Sequence, residues 1–396
     1  MANWNVKIKD ADTEKEAQVD AETAVTTAPP ASQRRQRRHP LKAALDEAQQ
    51  LVEDDRLDDA FAAYEAILEK DPNIAMAYVG LGKVHAKRGL DDEALEHYAG
   101  ALHIRKDFLP ALLHSAYAYL RLGEDQKALE NFQEALKVNP SVSVARLSIA
   151  RIHVRQGEFD QAINWLQQAL AFNPQLDSAR LALGEIYLKQ DDPDAALAEV
   201  DKLKDATLES FNSLLHLAGL LFKLKQYHRA SDACEKAVGI APERAECHQF
   251  LGRCYVAEKQ YQKAIQAFEK SSELDPAQVA AIFGIAQVKV KIGELDEAQR
   301  LLVNLTKGDK KLGIAHRMLG ELYMRKDSWE DAAAEFRAAV LHSKWLVQKH
   351  QEFEQIAEET QNSHQEAQRY AALFAELVPY EDILGEEGSN EDDTSA

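Results

Sequence analysis

Cys234, Cys247, Cys254 and the neighbouring His248 are the residues whose types come nearest to chemistry in this sequence. Thiolates and an imidazole bind zinc when they converge, but no CxxC pair is present, and Cys247 and Cys254 lie seven apart, near one helix face. A metal site is one reading and small buried side chains the other; the second is the expectation, so neither a metal nor any other cofactor is expected. Three cysteines in 396 residues suit a reducing compartment. Catalytic signatures are missing: there is no GxGxxG after a strand, no GxxxxGK[ST] loop, no HExxH and no GxSxG. The 13 histidines are spread without metal-ligand or acid/base spacing, so a non-catalytic protein with no small-molecule substrate is expected.

Charge narrows the partners. The formal charge is −19, from 47 Lys and Arg against 66 Asp and Glu, which disfavours nucleic acid and anionic lipid as default ligands of the whole molecule. One local exception is "RRQRRHP", where Arg34, Arg35, Arg37 and Arg38 precede Pro40. It reads as a contact for an acidic partner, a membrane surface or nucleic acid, as an import signal, or as a solvated flank. At about 1 kcal/mol per basic residue, membrane contact through it is at most peripheral. Trp4, in "NWNVKI", is a second candidate contact. No uncharged stretch approaches the ~20 residues that span a bilayer, and no apolar run of signal-peptide length opens the sequence, so a soluble, cytoplasmic protein is expected.

The elements that position these residues follow from a repeat. Stepping by 34 residues from Ala60 lands on Ala94, Ala128, Ala162, Ala196, Ala230, Ala264, Ala298 and Ala332, nine alanines in nine positions. Twelve residues before each stands another small residue: Ala48, Gly82, Ala116, Ala150, Gly184, Ala218, Gly252, Ala286 and Gly320. Glycine inside a helix costs about 1 kcal/mol relative to alanine, so close approach of two helix backbones must offset it. Four residues after each alanine comes a larger side chain, such as Tyr64, Tyr98, Phe132, Phe268 or Phe336, one turn along the same face. Pro72, Pro140, Pro174, Pro242 and Pro276 close units. Each unit therefore reads as two antiparallel helices joined by a short turn, often marked by Gly89, Gly123, Gly157 or Gly293. One pair cannot bury its apolar face alone, so stability must come from stacking neighbours.

The period, the "LGKVH", "LGEIY", "LGRCY" and "LGELY" stretches, the second-helix alanine and the closing proline resemble the tetratricopeptide repeat family. The resemblance implies an all-α solenoid: a right-handed superhelix of nine repeats over residues 41–346, first helices lining a concave groove. It further implies that the groove is lined one and five places past the small site. The further position holds Lys87, Arg121, Arg155, Lys189, Lys223, Lys291 and Arg325, and the nearer adds Lys83, Arg151 and Arg253. Leu113, Leu147, Leu181, Leu215, Phe283 and Tyr117 are apolar candidates among them, as groove lining or as inter-helix packing. The cations equally suit the dipoles of the helices they end. The Lys and Asn clamp by which some relatives capture chaperone tails is replaced by Leu113, Leu147, Tyr117 and Arg151.

Residues 1–40 are expected to be a disordered tail with its basic cluster, 347–379 a degenerate repeat of capping helices carrying Phe353, Ile356, Tyr370, Phe374 and Leu377, and 380–396 a disordered acidic tail. Glu366 stands where the next repeating alanine is due. Repeat five, with Pro193 and "KLKDATLESF", reads as a bend between residues 204 and 210 or, by preference, a different loop. The function expected is a protein-interaction scaffold or assembly adaptor binding an acidic or amphipathic segment of another protein in the groove. A regulator touching nucleic acid through Arg34–Arg38 is the alternative, and occupation of the groove by the acidic tail a further one.

Overall fold

Two helices of about a dozen residues and two short turns use up a 34-residue unit, and the chain repeats this economy throughout. The computed structural model describes residues 41–203, 210–277, 279–308, 313–342, 356, 360 and 362–377. Among them are nineteen helices and no strand. They fall into two compact units that divide between residues 207 and 208. The first unit holds α1 (Lys42–Glu53), α2 (Leu57–Lys70), α3 (Ala75–Lys87), α4 (Asp91–Ile104), α5 (Leu109–Arg121), α6 (Asp125–Val138), α7 (Ser143–Arg155), α8 (Phe159–Phe172), α9 (Asp177–Lys189) and α10 (Pro193–Val200). The second holds α11 (Phe211–Lys223), α12 (Tyr227–Ile240), α13 (Ala245–Ala257), α14 (Tyr261–Leu274), α15 (Val279–Lys291), α16 (Leu295–Gly308), α17 (Gly313–Arg325), α18 (Trp329–His342) and α19 (Ser363–Leu377). Within each unit a second helix packs on its own first helix and on the next one.

All nine repeating alanines are fully buried, and the small residues twelve places earlier are buried too. At Gly82 an added Cβ would stand 2.3 Å from the Tyr98 ring, at Gly252 2.7 Å from Phe268, and at Gly320 2.8 Å from Phe336. Each glycine thus makes room for the large side chain of its own second helix, sixteen residues on. Second-helix rings also reach sixteen residues forward. Gly80 would place a Cβ 2.2 Å from Tyr64, and Gly284 one 2.6 Å from Phe268. Where the second helix has the small Cys234 instead, the residue sixteen later is the buried Phe250, large where Gly80 and Gly284 are small.

Every turn inside a pair is built alike. Asp55, Gly89, Gly123, Gly157, Asp191, Lys225, Lys259, Gly293 and Asp327 all have positive φ, between 58° and 87°. The next amide N–H donates back to the carbonyl five residues earlier, as from Leu90 to His85 at 3.0 Å and from Gln260 to Tyr255 at 2.8 Å, which closes the first helix with a Schellman motif. Turns between repeats use Asp or Asn before the proline: the amides of Asn73, Ser141, Gln175 and Ala277 donate to the side chains of Asp71, Asn139, Asn173 and Asp275 at 3.0–3.1 Å. Six residues past three of the prolines a side chain ties down the proline carbonyl: Arg146 on Pro140, Arg180 on Pro174 and His248 on Pro242, at 2.6, 2.9 and 2.9 Å.

The fifth pair departs where its sequence does. α10 is only 8 residues long, starts on Pro193 and is capped by Asp192, whose carboxylate accepts from the Ala195 N–H at 3.0 Å. The expected bend or loop at 204–210 lies, but for its last residue, outside the described residues. At the other end α19 stands one period after α18 and covers it: Tyr370 and Phe374 are buried against Phe336, with ring centres 6.2 and 5.7 Å away. Ile356 is buried there as well, whereas Phe353 lies outside the described residues. Glu366, in the alanine's place, is buried and faces Arg337 at 3.5 Å.

Candidate functional site

A helix that ends on a Schellman turn exposes its last carbonyls, and a cation at that end suits its dipole. Lys87, Arg121, Arg155, Lys189, Lys223, Lys291 and Arg325 sit at such ends, and Lys83, Arg151 and Arg253 one turn earlier; first helices touch one another directly, α1 on α3, α3 on α5, α7 on α9, and α13 on α15. The first-helix faces are thus neighbours within each unit. What the cations do there differs between the units.

In the first unit the fold supplies acids to most of them. Arg121 donates from Nε and Nη2 to Asp91 at 2.9 and 2.6 Å, and Arg155 pairs with Asp125. Arg88 pairs likewise with Asp58, each pair joining residues thirty apart. Lys87 reaches the Val52 carbonyl at 2.7 Å and Asp55 at 3.3 Å, Lys83 reaches Gln49 at 3.5 Å, and Lys189 faces Glu185 at 3.7 Å. Arg151 is exposed and pairs with no carboxylate among the described residues. The thirty-residue rule was readable in the sequence as an acid opening the preceding second helix, at Asp58, Asp91 and Asp125; of the three cations Arg121 and Arg155 were singled out, and Arg88 and all three acids were missed.

The second unit lacks those acids. Tyr261 stands thirty residues before Lys291 and Leu295 thirty before Arg325. Lys223, Lys291 and Arg325 are exposed, with no carboxylate partner among the described residues. Arg253 lies over the rings of Phe222 and Phe250, 5.3 and 5.4 Å from their centres. Among the described residues the pair here that follows the rule with the acid first is Lys326 on Asp296 at 2.6 Å, which holds that carboxyl below its usual range through the hydrogen bond and the charge of Lys326.

The apolar candidates are buried. Leu113, Leu147, Leu181, Leu215 and Phe283 are at most 6% exposed, and Tyr117 packs edge-on to Phe132 at 5.3 Å with its hydroxyl 3.2 Å from that of Ser148. These side chains hold the wall together from inside. Beneath the first unit's cations, His114 stacks on Tyr98 with ring centres 5.7 Å apart. Burial first, then the charges of Lys83 and Arg121, push its pKa down to about 3, so it is neutral at physiological pH. Trp4, Arg34, Arg35, Arg37 and Arg38 lie outside the described residues.

The cysteines are free and buried. A hydrogen bond between Cys234 and Cys254, together with burial, raises the Cys234 pKa, and burial pushes the Cys247 thiol up to about 12. His248 is engaged with the Pro242 carbonyl. Among the described residues no three His, Cys, Asp or Glu side chains are grouped to hold a metal, and no helix is long and apolar enough to cross a membrane.

Comparison with known proteins gives a consistent family signal. Models of the tetratricopeptide repeat match residues 45–107, 109–142, 150–191 and 255–312, and the model of anaphase-promoting complex, cyclosome, subunit 3 matches 200–271. Superkiller complex protein 3 of Mus musculus is 31% identical over 111 residues, 26% of this chain and 7% of that protein. Protein O-mannosyl-transferase TMTC1 of Homo sapiens is 22% identical over 120 residues, 30% of this chain and 14% of that protein. The chain therefore corresponds to a small part of these relatives. Among solved structures, the APC/C hetero-tetramer Cut9-Hcn1 aligns at 18% identity with a TM-score of 0.47, over 63% of this chain and 49% of that one. A tetratricopeptide repeat protein from Parabacteroides merdae aligns at 21% identity with a TM-score of 0.45, over 59% and 92%.

Proposed function

Because the chain is a tetratricopeptide repeat protein, we propose that it works as a non-catalytic interaction scaffold or assembly adaptor, with the first-helix faces as its docking surface for a segment of another protein. The observation that carries this reading is the recurrence of exposed cations on first helices, Lys223, Lys291 and Arg325 at one equivalent place and Arg151 one turn earlier, where no carboxylate of the described residues neutralises them. Helix dipoles alone account for a cation at a helix end, but among the described residues the first unit also supplies acids to Lys87, Arg121, Arg155 and Lys189, and the second supplies none to Lys223, Lys291 or Arg325. A segment that presents carboxylates along its length meets several such cations at once. Isolated acids do not, since neighbouring helices lie ~10 Å apart and the Debye length is ~8 Å at physiological salt.

Two of the similarities carry the names of members of multi-subunit assemblies, superkiller complex protein 3 and anaphase-promoting complex subunit 3, in keeping with an adaptor. The three free, buried thiols accord with a reducing compartment such as the cytoplasm. The test is affinity capture with the parent chain, identification of the bound proteins, and direct binding of each to a variant with Arg151, Lys223, Lys291 and Arg325 reversed to Glu. The variant should keep its helical circular dichroism and lose the partner. A partner bound equally by both chains overturns the reading.

A further inference from the structure

In the second unit a row of cations has no carboxylate partner among the described residues, and the same chain carries a segment of opposite charge. Lys223, Lys291 and Arg325 end α11, α15 and α17 at equivalent repeat positions. Acids near the row are already engaged: Glu321 with Arg317 at 3.2 Å, and Glu294 and Glu297 with Lys289 at 2.5 and 2.7 Å. Residues 380–396 contain seven acidic residues and no basic one, in three groups: Glu381 and Asp382, Glu386 and Glu387, and Glu391 to Asp393. Successive groups start five residues apart, roughly 17 Å in an extended chain. Cations one and two repeats apart are separated by ~10 and ~20 Å at the usual spacing of packed helices. Three acidic groups thus stand opposite three cations, and their overall span, roughly 34 Å, agrees with the roughly 30 Å of the row.

The segment can also reach. It follows α19, which packs on α18 within the same unit. The stretch after Leu377 spans up to roughly 60 Å when extended, against roughly 30 Å for a row of three repeat steps. Tethering places it at an effective concentration on the order of millimolar, so weak, screened contacts suffice for occupancy.

We propose that Glu381–Asp393 lies along the Lys223, Lys291 and Arg325 row of its own chain, and that an acidic partner segment must displace it to dock there. This rests on the reading of the first-helix face as the docking surface, and adds to it a built-in competitor.

Zero-length carbodiimide cross-linking of the full chain tests the contact, because it joins only carboxylates and amines already in touch. In the monomer band, mass spectrometry should find amides from Glu381–Asp393 to Lys223 or Lys291. They should fade at high salt and in Arg325→Glu, which keeps both lysines. Links confined to monomer lysines off the row, such as Lys270, overturn the proposal, and links found only in dimers assign the row to a second copy instead. As a second measurement, a labelled synthetic peptide of residues 380–396 should bind a full chain whose seven tail acids are amides about tenfold or more tighter than it binds the parent. That binding should be lost in Lys291→Glu/Arg325→Glu and kept in Arg151→Glu; equal binding to parent and amide chains overturns the tethered competitor. A partner indifferent to the tail acids but lost on reversing the first-helix cations would sink this proposal and leave the docking face standing.

Discussion

Gly252→Ala adds one methyl group to α13, and its position is fixed by the backbone: 2.7 Å from Cδ1 and Cε1 of Phe268. Carbon atoms attract best at about 3.5–4.0 Å, so the ring or the helix must shift by roughly 1 Å. The ring has no retreat, because Gly284 on α15 approaches it just as closely from the next repeat, where a Cβ would stand 2.6 Å away. Overpacking a filled core costs about 1–3 kcal/mol, while alanine gains about 1 kcal/mol over glycine in a helix. The expected net loss is therefore about 0–2 kcal/mol. The sign then identifies the cause. With Phe268→Ala the space is empty, only the helix term remains, and Gly252→Ala should stabilise by about 1 kcal/mol. Gly239 on α12 meets nothing within 4 Å, so Gly239→Ala is the control and should stabilise in both backgrounds. Repeat arrays open in parts, so the readout is hydrogen exchange of the α13 and α14 amides alongside the urea midpoint. A Gly252→Ala chain as stable as Gly239→Ala, or the same shift in both backgrounds, would refute the close-approach argument.

Lys259 has a φ of 62°, a conformation that costs a side chain with a Cβ about 1–2 kcal/mol; Lys259→Gly should raise the thermal midpoint, and an unchanged or lower one contradicts the turn assignment. His114 has a folded pKa of about 3 against 6.5 when free, so the unfolded chain binds the proton more readily. Its contribution to stability is complete above about pH 6.5 and is lost as pH falls towards 3; His114→Phe should flatten the pH dependence of the urea midpoint between 7 and 4, and parallel curves would refute this. Arg121→Ala removes the N–H donors to Asp91, whose side chain is only 11% exposed, and should cost about 1 kcal/mol, whereas Arg151→Ala should cost under about 0.5 kcal/mol by chemical denaturation.

The helix pairs were legible because they are written in residue type. A site that tolerates only alanine nine times in succession announces close packing, and all nine are fully buried. Glycine at Gly82, Gly252 and Gly320 announced the same thing at the facing position. Other features are relations between residues and do not show in a single column. The left-handed turn position was visible at Gly89, Gly123, Gly157 and Gly293 but hidden at Asp55, Asp191, Lys225, Lys259 and Asp327, where the Schellman hydrogen bonds hold a less suited residue. The exchange of bulk sixteen residues apart, as between Phe268 with Gly284 and Cys234 with Phe250, emerges only once helices are stacked. Cations were easy to find in sequence, yet Arg121 and Arg155 are matched by Asp91 and Asp125 and Lys291 is not, because the deciding residue lies thirty places away on another helix. Leu113 and Leu147 could not be told from lining residues by spacing, since one helix face serves both the wall and its neighbours; both prove buried.

The most direct test of the account is the hydrogen-exchange footprint of a captured partner on the full chain. Docking on the first-helix faces predicts added protection in the last two turns of α7, α11, α15 and α17, around Arg151, Lys223, Lys291 and Arg325. Protection confined to the second helices α12, α14, α16 and α18, with the first helices unchanged, would contradict it.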